Sequence, residues 1–427
     1  MGFHTFDSPY DWSRISSYKK TAAAAPGGMI NLSVGSPVDP VPANVQQALA
    51  EHAEAPDSHG YPKATGSEAL RRAVPEWFKS VRGVDFEAID ADFVPTVGSK
   101  EGVALMASLL HLGEGDVVVQ PAISYPTYEI GTQIAGASTH KVADIADVDS
   151  WRSVPGVKAV WVNSPCNPTG ETLSAAQLKG IVAAAREIGA VVLSDECYAL
   201  LTWGSDDEND GGAKAGNRSA TLNGKLQSFA SDVDVRRGTG DTLPASEACG
   251  LSGPLVGAGF APASCMLQPD VCGGSARGIL VLYSLSKQSN MAGYRTALVA
   301  GDKDLIAEMA VYRKQIGEII PGPVQAAMAV AMGDTDDVVT QHARYERRLH
   351  ALVAALRGHG YDAHMPQGAL YVWVKARSGD CWTDLADLAR LGIIASPGEF
   401  YGDPTSLRFS ATATDSTIAE VSARLAA

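Results

Sequence analysis

The sequence has few cysteines, little basic charge and no long apolar run, and each absence excludes a class of protein. Its six cysteines form no CxxC pair and have no histidine set nearby, so we expect free thiols, no metal and no disulfide framework. The formal net charge of −14 argues against a broad surface for nucleic acid or anionic membrane. It has neither an apolar stretch of membrane length nor an apolar segment after a basic start, so the expected location is the cytoplasm.

The chain does have the apolar content for a large core, since 45% of its 427 residues are hydrophobic. Short apolar runs alternate with helix-like segments, which predicts an α/β fold with a mostly parallel sheet. The runs are "DVVVQP", "VKAVWVNSP", "AVVLSDE" and "GILVLYSLSK". Between two of them, Ser174 and Gln177 offer a capping box for a helix, and Gly189 offers its stop.

The division of the chain follows from changes in this pattern. We expect an N-terminal arm with part of a small domain over residues 1–42, a large three-layer α/β/α domain over 43–310, and a small α+β domain over 311–427. Residues 204–274 are rich in Gly, Ser, Asp and Asn, which predicts an inserted and partly disordered loop.

Polar side chains follow three of the predicted strands. Asn167 follows the first, Asp195 and Tyr198 the second, and Ser284 and Lys287 the third. Ligands of parallel sheets bind at the carboxyl ends of the strands, so an amide, a carboxylate, a phenol and an amine are expected together. Pyridoxal phosphate needs a lysine for an imine, a carboxylate for its ring nitrogen and donors for its phenolate oxygen.

A phosphate also needs a cradle. Gly98 and Ser99 open a predicted helix whose free backbone N–H groups favour an anion, and Arg295 could add a bidentate clamp. Tyr125 lies just beyond a predicted strand and could stack on the pyridine ring. Taken singly, each of these residues is more often a turn or surface residue, but their order on converging strands favours the cofactor.

The chain resembles the fold-type I pyridoxal-phosphate aminotransferases of class I/II, whose fold is like that of aspartate aminotransferase. The resemblance covers nearly the whole chain. It rests on the motifs "NLSVGSPVDPVP", "GYPKATGSEALRRAV", "TVGSK", "SYPTY", "NSPCNPTG", "SDECY", "SLSKQSNMAGYR", "QGALYVWV" and "SLRFS".

The resemblance implies a role for each site residue. Lys287 would be the Schiff-base lysine and proton shuttle, and Asp195 would pair with the pyridinium nitrogen. The other cofactor contacts would come from Gly98, Ser99, Lys100, Tyr125, Asn167, Tyr198, Ser284, Ser286 and Arg295. Tyr61 would reach the phosphate of a neighbouring subunit, which implies a homodimer with shared sites. Arg408 would grip the substrate α-carboxylate, with Gly35 and Asn167 lining the same pocket.

The motifs "DVCGGS", "QSNMAGYR", "ISYPTYEIG" and "ASPGEFYG" are most similar to those of bacterial N-succinyl-LL-diaminopimelate aminotransferases, which act in lysine biosynthesis. The implied substrates are that amino acid and 2-oxoglutarate or glutamate. Three alternatives stay open: another aminotransferase specificity, a β-lyase or decarboxylase on the same cofactor, and a regulator without catalysis. A serine acyl hydrolase would use Ser284 and Lys287 as an SxxK pair, but the chain has no SDN or KTG element to accompany it.

Overall fold

The computed structural model describes residues 5–203 and 260–426. Twelve strands lie within those residues, numbered here in chain order. They are β1 Ile30–Asn31, β2 Ala91–Val97, β3 Val117–Pro121, β4 Ser138–Val142, β5 Val157–Asn163, β6 Val191–Asp195, β7 Ile279–Ser284, β8 Thr296–Asp302, β9 Tyr371–Lys375, β10 Ile393–Ile394, β11 Ser396–Pro397 and β12 Ser406–Ser410.

Fourteen α-helices lie in the same described residues. They are α1 Ser16–Ala24, α2 Ala43–Ala53, α3 Glu68–Arg82, α4 Phe86–Ile89, α5 Ser99–Leu109, α6 Thr127–Ala135, α7 Ala175–Glu187, α8 Pro269–Cys272, α9 Leu285–Gln288, α10 Lys303–Ile316, α11 Gly322–Gly333, α12 Thr335–Gly358, α13 Cys381–Arg390 and α14 Asp415–Ala426. No helix of residues 5–203 and 260–426 is both long and apolar enough to cross a membrane.

The central sheet has seven strands in the order β2-β8-β7-β6-β5-β3-β4. Every neighbouring pair is parallel except the two pairs that β8 makes, with β2 and β7. The four predicted runs form β3, β5, β6 and β7, and β7 is buried along its whole length. The prediction of an α/β fold with a mostly parallel sheet is confirmed, and β5, β6 and β7 are neighbours as the site requires.

Helix α7 shows how local sequence sets an element. The Ser174 side chain accepts a hydrogen bond from the backbone N–H of Gln177, and the Gln177 side chain accepts one from Ser174 in return. This capping box satisfies N–H groups that have no partner inside the helix. At the other end Gly189 takes a φ of +70°, and the helix ends just before it.

Buried side chains form separate clusters around the large and small sheets. Two clusters cover the faces of the seven-stranded sheet, and a third surrounds the antiparallel sheet β11-β12-β9. Helix α11 packs with the large cluster, while α12 contributes Val338 to that cluster and Leu349 to the small one. We therefore propose that the boundary between the two domains lies within α12, later than the expected residue 310.

The predicted insert at residues 204–274 needs a correction at its C-terminal end. Residues 204–259 lie outside the described residues, but residues 260–274 pack into the protein. Cys265, Met266 and Leu267 are fully buried in the large core, and α8 follows them. The glycines and polar residues upstream hid this short apolar run. The five described cysteines are unpaired.

Candidate active site

The carboxyl ends of β5, β6 and β7 bring the predicted polar residues to one edge of the sheet. Asn163, the last residue of β5, connects two of them. Its amide donates to the backbone oxygen of Asp195 at 2.9 Å, and its Oδ1 accepts from the backbone N–H of Asn167 at 2.7 Å. This buried side chain thereby fixes the loop after β5 to the end of β6.

A cavity of about 220 Å³ opens at this edge. Every predicted site residue lines it except Gly98 and Tyr61, and Gly98 lies next to it while the side chain of Tyr61 is fully exposed. The lining residues from the prediction are Gly35, Ser99, Lys100, Tyr125, Asn167, Asp195, Tyr198, Ser284, Ser286, Lys287, Arg295 and Arg408.

Lys287 lies in the short helix α9, directly after β7. Its ammonium group donates to the backbone oxygen of Gly35 from the N-terminal segment. Burial lowers the pKa of Lys287, because the charged form loses its hydration. A lysine with a lowered pKa supplies more neutral amine, which is the nucleophilic form.

Asp195 is the last residue of β6 and lines the same cavity as Lys287. It accepts a hydrogen bond from the hydroxyl of Tyr128 at 2.8 Å and one from the backbone N–H of Cys197 at 3.2 Å. Burial raises the pKa of Asp195, and the bonds from Cys197 and Tyr128 oppose that rise. Trp161 stacks on the ring of Tyr128 with centroids 4.5 Å apart, so the donor to Asp195 is held in place.

Two tyrosines meet at the wall of the cavity. The hydroxyls of Tyr198 and Tyr371 are 2.8 Å apart, and burial holds the pKa of Tyr198 well above its ordinary value. Tyr198 is therefore a neutral hydrogen-bond donor near neutral pH. Tyr371 also occupies the space where a side chain at Gly35 would lie, which is why the chain comes so close at that glycine.

The residues predicted to form an anion cradle lie together at the start of α5. Gly98 precedes the helix with a φ of +78°, and a Cβ at this residue would collide with the guanidinium of Arg295. Arg295 itself has a φ of +59°. At the end of β7, the Ser284 hydroxyl donates to the hydroxyl of Ser286 at 2.8 Å. A guanidinium, hydroxyls and a helix N-terminus converge there, as a phosphate requires.

Arg408 of β12 brings a second fixed cation to the cavity. Its guanidinium donates to the Asn167 Oδ1 at 2.6 Å and to the backbone oxygen of Ser33 at 2.8 Å. It also lies over the rings of Tyr371 and Tyr401, at 3.9 and 4.6 Å from their centroids. Its Nε is buried without a hydrogen-bond partner among the described atoms. Because Arg408 also lines the cavity, its planar guanidinium is placed to bind a carboxylate there.

Several cavity residues escaped the sequence reasoning. Tyr10 and Trp12 precede α1, and Tyr401 lies shortly before β12, so each is far in sequence from the strand ends. Tyr371 is part of the quoted motif "QGALYVWV", so the sequence did offer a signal that this tyrosine belongs to the site. Tyr128, which does not line the cavity but donates to Asp195, stands at the end of the quoted motif "SYPTY".

The fold and the site together define an enzyme that uses a lysine-bound aldehyde cofactor. Residues 27–230 and 257–425 match the family model "Aminotransferase class I and II". This chain belongs to that family, and it is a transaminase that depends on pyridoxal phosphate.

Known relatives agree with this assignment. The chain is 36% identical to a 4-dedimethylamino-4-oxo-anhydrotetracycline transaminase of Streptomyces rimosus, over 97% of this chain and 98% of the relative. It is 34% identical to a probable aminotransferase of Mycobacterium tuberculosis, over 97% of this chain and 84% of the relative. Among solved structures, a probable N-succinyldiaminopimelate aminotransferase from Thermus thermophilus shares the fold, with a TM-score of 0.75 and 20% identity over 97% of this chain and 99% of that one.

The residues present fit pyridoxal phosphate. The Arg295 guanidinium, which approaches closely because residue 98 is a glycine, suits its phosphate, the buried Asp195 suits its ring nitrogen, and the buried Lys287 suits its aldehyde. When bound, the cofactor withdraws electrons from the substrate α-carbon so that a proton can leave it.

Proposed function

We propose that this enzyme moves an amino group between N-succinyl-LL-2,6-diaminopimelate and 2-oxoglutarate, as a cytoplasmic step of lysine biosynthesis. The observation that carries the proposal is the charge of the cavity. Besides Lys287, its lining contains the basic side chains of Lys100, Arg295 and Arg408 and a single carboxylate, that of Asp195. In a protein with a net charge of −14, so basic a cavity favours substrates with several carboxylates.

The two fixed guanidinium groups divide the anions between them. Arg295 and the start of α5 would hold the cofactor phosphate, while Arg408, positioned by Asn167, would hold the substrate α-carboxylate. The ammonium of Lys100 lies over the ring of Tyr10, 5.5 Å from its centroid, and is available to a second carboxylate. Glutamate and the succinyl amino acid both carry such a group.

The remaining residues handle protons and orientation. The neutral amine of Lys287 would accept a proton from the substrate α-carbon, and its Nζ would hold that proton until it is returned. Asp195, as a carboxylate, would keep a proton on the ring nitrogen, while Tyr198 would donate a hydrogen bond to the phenolate oxygen. Tyr125 would lie against the ring face.

A second candidate substrate is a polycyclic ketone of the anhydrotetracycline kind. The observation in its favour is the 36% identity to the Streptomyces rimosus transaminase over nearly the full length of both chains. The two candidates differ in carboxylate content, and Arg408 favours the amino acid because its guanidinium lines the cavity and can pair with a carboxylate.

A donor and acceptor screen with purified enzyme tests the proposal. With 2-oxoglutarate as acceptor, N-succinyl-diaminopimelate should react at a higher kcat/KM than ordinary amino acids do. Its kcat/KM should also exceed that of an oxo-anhydrotetracycline with glutamate as the donor. A preference for the polycyclic ketone would contradict the substrate proposal and leave the transaminase assignment intact. Release of pyruvate and ammonia without a new amino acid would instead indicate β-elimination.

We also propose a homodimer with shared active sites, because Tyr61 is fully exposed and does not line the cavity of its own subunit. Subunit mixing tests this. Lys287→Ala and Tyr61→Ala variants should each be weak alone, and a mixture of the two should regain activity through hybrid dimers with one intact site. A mixture no more active than its components would contradict the shared site.

A further inference from the structure

A fully buried ion pair lies directly behind Asp195 and has no part in the roles proposed so far. Arg82, the last residue of α3, donates to the carboxylate of Glu196 at 2.8 Å. The two side chains are 0% and 1% exposed. Two of the Arg82 guanidinium nitrogens, Nε and Nη1, have no hydrogen-bond partner among the described atoms. A buried ion pair with unsatisfied N–H groups contributes little to stability, so stability alone does not account for Arg82 and Glu196.

Glu196 fixes the turn that carries the site residues. Its Oε1 accepts from the backbone N–H of Met266 at 2.8 Å and from the Ser194 hydroxyl at 3.1 Å. Its own backbone N–H donates to Leu282 of β7. Glu196 lies between Asp195 and Cys197, whose N–H donates to Asp195, so displacement of Glu196 would move both.

The charges around Asp195 make the pair electrostatically relevant. The titratable neighbours described around Asp195 are Tyr125, Tyr128, Cys166 and Cys197, and burial raises the pKa of each. They are therefore neutral near neutral pH.

Burial likewise raises the pKa values of Cys265 and Tyr283, which face the ion pair. Across the cavity, the pKa of Lys287 is lowered by burial. The charge of Glu196 is one of the influences that raise the pKa of Asp195. Arg82 is thus the cation placed to cancel Glu196.

We propose that Arg82 is a positioning residue for Asp195, the carboxylate that would pair with the cofactor ring nitrogen. By pairing with Glu196, Arg82 holds the end of β6 in place and cancels the negative charge of the residue next to Asp195. The inference rests on the proposed role of Asp195. Cofactor binding by the apoenzyme should then weaken as the pH falls through the titration of Asp195, at a pH that the pair sets.

The test measures the pyridoxal phosphate affinity of the apoenzyme against pH by equilibrium dialysis. Arg82→Met leaves Glu196 uncompensated, so the midpoint of the affinity loss should move to higher pH by about one unit, or roughly tenfold in affinity on the acid side. Glu196→Gln leaves Arg82 uncompensated, and the midpoint should move to lower pH. The double variant should return close to the original midpoint.

Three controls separate charge from structure. Arg348→Met breaks another buried ion pair, with Asp39, whose two residues do not line the cavity, and should lower the unfolding temperature without moving the midpoint. Arg82→Lys should keep the original midpoint. Asp195→Asn should remove this titration step from the profile, and an unchanged profile there would show that the role of Asp195 is wrong.

The sign of the shifts decides the outcome. Midpoints that stay at the original pH in both single variants, or that move in the same direction in both, would overturn the proposal. If one single variant fails to fold, the other decides, because an unchanged midpoint in Arg82→Met or in Glu196→Gln would overturn the proposal.

Discussion

Gly98 shows how much a single residue contributes at this site. Glycine is required here for two separate reasons. The backbone has a positive φ, and the guanidinium of Arg295 occupies the space that a side chain would need. We predict that Gly98→Ala weakens pyridoxal phosphate binding by more than about tenfold, because Arg295 must leave its position. Fluorescence titration of the apoenzyme measures this.

Gly83 is the matched control for that change. It has a similar φ of +66° at the end of α3, and nothing lies within 4 Å of its missing Cβ. Gly83→Ala should therefore cost about 1 kcal/mol of folding free energy and leave cofactor affinity unchanged. Equal losses of affinity in the two variants would show that backbone strain, and not the contact with Arg295, is responsible.

Arg408 allows a test of carboxylate recognition. We predict that Arg408→Lys raises KM for the amino acid substrate by about tenfold to a hundredfold, because an ammonium cannot reproduce the planar fork. Steady-state kinetics measure the change, and cofactor affinity serves as the internal control since Arg408 is not placed at the phosphate. An unchanged KM would contradict its assignment.

The sequence revealed those site residues that follow their strands directly. Asn167, Asp195 and Lys287 could be predicted because parallel strands end at one edge of a sheet. Tyr10 and Trp12 reach the same cavity from the N-terminal segment, and only tertiary packing brings them there. Local pattern contains no such information.

At the scale of elements, helix α7 depends on its first turn. We predict that Ser174→Ala lowers the free energy of unfolding by about 1 kcal/mol through loss of the capping box, with kcat unchanged. Urea unfolding measures this. Ser422→Ala within α14 is the control, since that hydroxyl donates inside its own helix and should change stability by less than about 0.5 kcal/mol. An equal loss in both would contradict a special role for the cap.

Other elements could not be predicted from their own residues. The polar stretch upstream masked the apolar run Cys265–Leu267, although it is fully buried. Helix α11 was expected in the small domain, yet it packs against α2 and α3 in the large core. Both cases turn on which surface an apolar stretch meets, and composition does not specify that surface.

At the scale of the whole molecule, His342 ties folding to pH. It lies between the rings of Trp203 and Phe260 and bonds to the backbone oxygen of Thr202, and burial lowers its pKa from 6.5 to about 4. The unfolded chain therefore binds more protons than the folded one between those values, so stability falls as the pH drops through that window. The free energy of unfolding lost across this whole pH window is about 3 kcal/mol.

We predict that His342→Gln makes unfolding less sensitive to acid, measured as the urea midpoint near neutral pH and at about pH 5. Glutamine keeps a donor for Thr202 but does not titrate. His350→Gln, at an exposed position of the same helix, is the control and should keep the original pH dependence. The same acid sensitivity in both variants would show that other groups are responsible.

The central claim for the molecule is that Lys287 carries the cofactor. Borohydride reduction of the enzyme loaded with pyridoxal phosphate, followed by peptide mass mapping, tests it most directly. The account predicts a pyridoxyl group on Lys287 in the peptide that contains "SLSKQSNMAGYR", and none on the loaded Lys287→Ala variant. A label on another lysine, or a protein that takes up no cofactor, would contradict it.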